Sequence, residues 1–250
     1  MVHSRLSVLN RNEEPVMKSK YSPIPLILLL TILVWTAPGH AAWGDAIKGM
    51  GDAGATAMGL PYTPSQAEAG IKQVLSMGTD SAVSSLGVNG GFSNNEALAL
   101  PLPDLFSKAS GSAASGLVSA LNSAAESSVP SLGPLFQNAI QSLDIGNPAS
   151  MIGGDDDSIT RYFENSARPS LKKLAKPIVS KSLDATDAGQ YLNALTAAQQ
   201  MSNLTGVAFD PVDYVTDRAL DGMFSYIADT EKDIRSTGGA GASELLQTLF

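Results

Sequence analysis

The stretch that decides the fold runs from Asp210 to Ile227 and reads DPVDYVTDRALDGMFSYI. Asp210 can cap a helix, a proline follows at the first helical position, and Asp213 lies near the positive end of the helix dipole. Apolar side chains then recur every three or four residues, which is the period of one helix face. They are Val212, Val215, Ala219, Leu220, Met223, Phe224 and Ile227. The pattern predicts an amphipathic helix that continues to about Arg235.

A second helix start lies near the beginning of the folded region. Thr63-Pro64-Ser65-Gln66 supplies an N-cap, a proline at the first helical position and the glutamine of a capping box. The apolar residues behind this start keep a helical period as far as Gly87. Residues 87–103 are rich in glycine, asparagine and proline, so they predict a long connection without a regular element.

Three prolines are predicted to interrupt helices further along the chain. Pro130 should end one helix, with a second helix beginning after it. Pro169 and Pro177 should divide the segment that follows Ile159 into several short helices. The reason is that an interior proline loses a hydrogen bond and its ring clashes with the preceding turn.

Shorter helical segments complete the pattern. They are a turn from Asn147-Pro148 to Gly153-Gly154, a helix from Asp187 to about Asn203, and a last amphipathic turn or two around Leu245 to Leu249. No segment alternates apolar and polar residues with enough Val, Ile and Thr to predict a strand. We therefore predict an all-α fold, a single compact multi-helix domain of short and medium helices without significant sheet. It should span residues 63–250, after a flexible Gly- and Ala-rich lead at 42–62.

The beginning of the chain has the pattern of a secretory signal peptide. Lys18 and Lys20 precede an apolar run, Ile24 to Trp35, and small residues follow it up to Ala41. The run has 12 residues, whereas a membrane-spanning helix needs about 20. We therefore expect residues 1–41 to be cleaved, without a stable membrane anchor afterwards. The product should be periplasmic, with secretion as an alternative.

Residues 1–16 have a separate interpretation. A signal peptide of ordinary form would begin at Met17, so the segment before it is interpreted as the result of a start site assigned too early.

Composition limits the chemistry of the mature chain. Its two histidines, His3 and His40, lie in the segment predicted to be removed, and the sequence has no cysteine. Ser-His-Asp and Cys-His catalysis, thiol redox chemistry and zinc sites of His or Cys are therefore excluded for the mature protein. Cleavage also changes the formal net charge from −8 to about −10. An acidic surface repels a phosphate backbone, so nucleic acid is not expected as a partner.

Two segments carry a resemblance to a known family. One is Gly153-Gly154-Asp155-Asp156-Asp157-Ser158-Ile159-Thr160-Arg161-Tyr162-Phe163, and the other is Asp213-Tyr214-Val215-Thr216-Asp217-Arg218-Ala219-Leu220-Asp221-Gly222-Met223-Phe224. With Glu231, Ile234 and Arg235, they make residues 64–250 resemble the bacterial exported family catalogued as domain of unknown function 4197. The resemblance implies export and an all-helical fold, and it implies no reaction.

The run of acids after Gly153 and Gly154 has two interpretations. As a calcium loop it fails, because Ile159 and Thr160 occupy positions that need an oxygen ligand and a glycine. A cation or ligand site at a helix start remains as one interpretation. The alternative, which we favour, is an N-cap with acids that complement the helix dipole.

Three aspartates share one flank of the long helix that begins at Pro211. Asp213, Asp217 and Asp221 recur at every fourth residue. Like charges at that spacing repel each other unless nearby cations neutralise them. Arg161, Arg168, Lys172 and Arg235 are the candidate partners. We hypothesise that Asp221 is buried and pairs with Arg161.

Function is left with three hypotheses. The first is a non-enzymatic module that binds another envelope protein or a small ligand. The alternatives are a carboxylate-dependent hydrolase, using Asp155 or Asp156 with Asp221, and a carrier of a small apolar ligand. No catalytic residue, metal ligand or cofactor is assigned. The tyrosines are interpreted as core residues with hydroxyls at the edge. The candidate ligand-binding residues are Gly153, Gly154, Asp155, Asp156, Thr160, Arg161, Tyr162, Asp213, Tyr214 and Asp221.

Overall fold

Helices form every regular element in the part of the chain that the structure describes, which confirms the all-α prediction. The structure is a computed structural model, and it describes residues 51–57, 59, 61–106, 108–201 and 209–250, with no account of the side chains of 198–201. The helices are α1 (Pro64–Leu86), α2 (Ser112–Gln141), α3 (Pro148–Ile152), α4 (Ser158–Asp184), α5 (Ala188–Met201), α6 (Pro211–Ser236) and α7 (Glu244–Leu249), with a 3₁₀ turn at Asp104–Phe106.

The predicted signal peptide, residues 1–41, lies outside the described residues. The predicted lead at 42–62 is described only in part, and there residues 51–57 are helical. Asp52 from this helical stretch accepts a hydrogen bond from the Ser65 N–H at 3.0 Å. The described residues all belong to one compact unit, Gly39–Phe250.

Local capping signals place the starts of α1 and α6 where the sequence predicts them. The Thr63 side chain accepts from the Gln66 N–H, and the Gln66 side chain accepts from the Thr63 N–H, which completes the capping box. Asp210 accepts from the N–H groups of Val212 and Asp213. Since these bonds satisfy backbone donors that no helical carbonyl can reach, the prediction of both helix starts is confirmed.

The predicted proline breaks are wrong. Helix α2 continues through Pro130, and α4 continues through Pro169 and Pro177. Each interior proline costs about 3 kcal/mol in an isolated helix. In α4 the apolar side chains on both sides of the prolines are buried on one face, and each of those larger than alanine contributes about 1.5 to 3 kcal/mol. Burial of a continuous face therefore outweighs the local preference for a break.

The four long helices pack around one core. Helix α1 lies along α6, and α2 contacts α1, α4, α5 and α6. Phe136, Phe163 and Phe224 meet at the centre with ring centroids 5.1 to 6.0 Å apart. At Gly78 the backbones of α1 and α6 approach so closely that a Cβ atom would lie 2.7 Å from the Ile227 Cα.

The long connection after α1 is held by two side chains of α2. Glu126 accepts hydrogen bonds from the N–H groups of Phe92 and Ser93 and from the Ser93 hydroxyl. The Asn122 side chain accepts from the Leu100 N–H and donates to the Leu100 carbonyl. The connection is irregular, as predicted, but its path is fixed. Across the described ranges, we find no helix with the length and apolar character needed to cross a bilayer.

Candidate functional site

A buried glutamate from α6 caps the start of α4. The side chain of Glu231 is fully shielded from solvent. Its carboxylate accepts from the Ile159 N–H at 3.0 Å, from the Thr160 N–H at 2.8 Å and from the Thr160 hydroxyl at 2.7 Å. The first N–H groups of a helix have no partner inside the helix and form its positive end. Glu231 therefore gives α4 the negative cap that such an end requires.

Arg235 completes this cluster and joins it to α3. Its guanidinium bonds to Glu231 one turn earlier and donates to the carbonyls of Met151 and Ile152, each at 2.7 Å. The same group donates to the Ser158 hydroxyl at 2.9 Å. Those carbonyls lie at the C-terminal end of α3, where no N–H group of the same helix can bond to them. We call Ser158, Thr160, Glu231 and Arg235 the capping cluster, and it fastens α3, α4 and α6 together.

The acidic run after Gly153 and Gly154 has a different role from the predicted one. Asp157 occupies the N-cap position of α4, but its side chain makes no capping bond. Asp155 and Asp157 pair instead with Arg161, at 2.8 and 3.2 Å, on the surface. These contacts raise the pKa of the Arg161 guanidinium, mainly through its hydrogen bond to Asp155. The predicted capping by these acids is thus corrected: the carboxylate that bonds to the helix start is Glu231.

Asp156, Gly153 and Gly154 also lie outside the capping cluster. Asp156 is exposed, and it forms no ion pair with another described residue. Gly154 lies against Ser158, whose hydroxyl oxygen would be 2.7 Å from a Cβ atom there. A side chain at this position would therefore press on Ser158, which is part of the capping cluster.

The three aspartates of α6, which we call the acidic row, are paired with cations of α4. Asp221 contacts Arg168, Asp217 contacts Lys172 at 2.8 Å, and Asp213 contacts Lys172 at 3.1 Å and Lys176 at 2.6 Å. These cations are spaced four residues apart, as the aspartates are. The row therefore joins two antiparallel helices along matching flanks.

The hypothesis of a buried Asp221–Arg161 pair is wrong. Asp221 is 47% exposed and its partner is Arg168. Arg161 lies seven residues before Arg168, about 10 Å along the axis of α4, and so it is out of register with Asp221. The small size of Gly222 suggests close contact with another helix, but its nearest neighbour is the Phe92 side chain of the connection after α1. A Cβ atom there would lie 2.9 Å from the Phe92 ring.

The tyrosine interpretation is confirmed at three positions. Tyr162, Tyr214 and Tyr226 are partly buried and pack against the core. The Tyr162 hydroxyl donates to the Asp144 carbonyl at 2.6 Å, and the Tyr214 hydroxyl donates to the Pro101 carbonyl at 3.0 Å. Burial is the main cause that raises the pKa of Tyr214 above its ordinary value. Both hydroxyls hold a connecting segment to a helix.

A surface pocket of about 160 Å³ opens between the start of α1 and the start of α3. No sequence pattern predicted the pocket or its acidic side chains. The Asn147-Pro148 helix start is the one predicted feature that contributes to its lining. We call it the 144–149 pocket, after the loop and the start of α3 that form one wall, while the other wall is the start of α1. Its lining residues are Tyr62, Pro64, Ser65, Ala67, Glu68, Asp144, Ile145, Gly146, Asn147, Pro148 and Ala149.

The structure brings Asp155 and Arg161 together as an ion pair, but the candidate residues as a whole do not meet at one site. Thr160 lies in the capping cluster, and Tyr162 holds one wall of the pocket. Asp155 and Asp221, the proposed hydrolase pair, contact different arginines on α4. Within the described ranges, no three His, Cys, Asp or Glu side chains are grouped so that they could hold a metal ion.

Comparison with known proteins gives one match. A sequence model of the family described as "Protein of unknown function (DUF4197)" matches residues 61–250, which is more than half of the chain. No curated protein and no solved structure matches.

Proposed function

The chain belongs to the DUF4197 family, and from that premise we propose that it is an exported, non-catalytic helical module that binds another component of the cell envelope. The binding place in this proposal is the 144–149 pocket. The family match carries no information about a ligand or a reaction, so support for the proposal comes from the geometry of the pocket and from the sequence.

One observation carries the proposal: side chains of the two motif helices hold both ends of a pocket wall. Tyr162 bonds to the carbonyl of Asp144, where the wall begins. Arg235 bonds to the carbonyls of Met151 and Ile152, which follow Ala149, the last residue of the wall, in α3. Preformed concave sites bind ligands without the cost of ordering a loop. Restraint at both ends favours a site that is ready before its ligand arrives.

The engagement of the polar motif side chains supports a non-catalytic role. Glu231 and Thr160 bond to each other and to the start of α4. The acidic row is matched by cations of α4. A general acid or base needs a proton position open to substrate, whereas these groups face helix ends or one another.

Export has its own test. The small residues before Ala42 predict signal cleavage after Ala41. We expect N-terminal sequencing of the protein that cells accumulate to begin at Ala42, and fractionation to place it in the periplasm. Protein that keeps residues 1–41 and stays in the cytoplasm would refute the export part of the proposal.

Binding at the pocket is tested by photo-crosslinking in intact cells. A crosslinking amino acid is placed at the exposed pocket residue Ser65 or at the exposed residue Gln190, which follows the far end of α4. Helix α4 has 27 residues and is about 40 Å long, so Gln190 reports a remote surface. We expect a discrete crosslinked product from Ser65 and none from Gln190.

Two tyrosine variants supply a matched comparison for this experiment. Tyr162→Phe removes the bond to the Asp144 carbonyl and should reduce the Ser65 product severalfold. Tyr226→Phe alters another partly buried tyrosine that does not line the pocket, and it should leave the product unchanged. Equal products from Ser65 and Gln190 would contradict binding at this pocket.

A further inference from the structure

We propose that the 144–149 pocket takes an organic cation: a protonated amine or guanidinium on a short aliphatic stem. This inference rests on the proposed function, because it names the ligand chemistry of the same pocket. It follows from the size of the pocket, the apolar character of its walls and the charge at its rim.

Size limits the ligand to one side-chain-sized group. The pocket holds about 160 Å³, and a protein cavity of about 150 Å³ accommodates a benzene molecule. A nucleotide, a disaccharide or a lipid chain would extend far beyond such a volume. A four-carbon stem with a terminal cationic group fits the scale of the pocket.

The walls favour an apolar stem. Ala67 and Ile145 are buried, and Tyr62, Pro64 and Pro148 are half-buried. Burial raises the pKa of Tyr62, so its hydroxyl stays protonated at neutral pH and its ring stays uncharged. The face of a neutral aromatic ring attracts a cation that lies over it. The walls therefore offer contact surface to methylene groups and an aromatic ring to the charge.

The rim supplies negative charge. Asp144 is exposed, and its side chain has no ion-pair partner among the described residues. Glu68 is paired with Lys72 at 2.7 Å, and Lys72 also donates to the Gln141 carbonyl. That lysine neutralises much of the Glu68 charge, so Asp144 is the main anchor. Among the described residues, no lysine or arginine lines the pocket. A hydrogen bond from a cation to a carboxylate is stronger than one between neutral groups.

The test measures binding of n-butylammonium chloride to the purified protein, in the form that cells accumulate, by NMR titration at constant ionic strength. The uncharged 1-butanol is the comparison ligand, because it has the same stem without the charge. We expect saturable shifts from residues around the pocket with butylammonium, and at least tenfold weaker binding of butanol. Equal binding of the two compounds would overturn the cation assignment.

Three variants locate the site. Asp144→Asn should weaken butylammonium binding at least tenfold, since it removes the charge and keeps the shape. Ala149→Leu should abolish binding, because it fills the pocket from a half-exposed position. Asp156→Asn removes an equally exposed charge outside the pocket and should change affinity less than twofold. Similar losses in the Asp144 and Asp156 variants would show only general attraction to an acidic protein and would overturn the proposal.

The two sources of such a cation are distinguished in cells. If the ligand is a lysine or arginine side chain of an envelope partner, Asp144→Asn should abolish the Ser65 crosslink. If it is a free amine, the crosslink should persist in that variant while butylammonium binding is lost. Should the crosslink depend on the pocket, and disappear in Ala149→Leu, while no butylammonium binding is detected, the proposed function stands and the cation inference fails.

Discussion

Glu231 is the buried carboxylate at the centre of the capping cluster. Its carboxyl oxygens accept five hydrogen bonds, from the Ile159 and Thr160 N–H groups, the Thr160 hydroxyl and two nitrogens of Arg235. The side chain is fully buried and that of Arg235 is 10% exposed. A buried pair contributes little against an apolar alternative, but removing one partner leaves the other uncompensated. The cluster should therefore be sensitive to single substitutions.

We predict that Glu231→Gln lowers the free energy of unfolding by about 3 to 5 kcal/mol, the cost of breaking a buried pair. The glutamine keeps the shape of the side chain, but its NH₂ group faces donors and Arg235 loses its counter-charge. Urea denaturation with the slope held in common measures the change. Asp156→Asn, at an exposed position, should stay within about 0.5 kcal/mol of the original protein. A loss under about 1 kcal/mol in Glu231→Gln would show that the cap is dispensable.

At the scale of the element, glycine lets α1 and α6 approach closely. A Cβ atom at Gly78 would lie 2.7 Å from the Cα of Ile227, which is a backbone atom and cannot rotate away. In the same helix, a Cβ atom at Gly70 would meet the Leu249 side chain of α7. Helix propensity alone would favour alanine at both positions, so packing decides in favour of glycine.

We predict opposite effects of the same substitution at two helical glycines. Gly78→Ala should destabilise the protein by about 1 to 3 kcal/mol, because the helices must move apart. Gly189→Ala in α5, where a Cβ atom meets nothing within 4 Å, should stabilise it by about 0.5 to 1 kcal/mol. Thermal unfolding of the two variants provides the measurement. Stabilisation by Gly78→Ala would show that α1 and α6 can accommodate a Cβ atom between them.

The acidic row makes the stability of the fold depend on pH. Hydrogen bonds from Lys176 and then Lys172 lower the pKa of Asp213 below its ordinary 3.8. A carboxyl with a lowered folded-state pKa stabilises the fold fully above the unfolded value. That contribution is lost as the pH falls through the folded value. Because the Asp213 side chain is 37% exposed, the contribution is that of a surface pair.

We predict that Asp213→Asn destabilises the protein by up to about 1 kcal/mol at pH 7. This difference should become smaller at a pH below the ordinary pKa of 3.8, as the Asp213 carboxyl of the original protein becomes protonated. Urea denaturation at the two pH values measures it. Asp229→Asn is the control, since Asp229 is exposed on the same helix and forms no ion pair with another described residue. A difference that persists undiminished at low pH would assign the effect of Asp213→Asn to packing.

At the scale of the whole molecule, contacts between distant segments determine how α4 lies against α6. The capping cluster fixes one end, where Thr160 meets Glu231. The acidic row continues the same antiparallel register through the Arg168–Asp221 and Lys176–Asp213 pairs. One helix thus contributes cations and the other aspartates over several turns. This register also places Tyr162 where it reaches Asp144 and the 144–149 pocket.

The candidate site could be predicted from the sequence only in part. Thr160 and Tyr162 belong to the predicted motif and make the contacts described above. Glu231 and Arg235 are visible as an acid and a base one turn apart on α6, but nothing local indicates that Glu231 caps a helix that begins 73 residues earlier, at Ser158. Charge spacing revealed the acidic row, whereas the choice between Arg161 and Arg168 depends on the register of two packed helices.

The sequence by itself determined the helical class, the capped starts of α1 and α6, and the lack of histidine and cysteine after residue 41. These properties are local, because a cap or a periodic face involves residues within a few positions of each other. Tertiary structure alone decided that α2 and α4 continue through their prolines, that Glu231 caps α4, and where the pocket opens. Each of these depends on burial against segments far away in the chain, where packing energies outweigh local preferences.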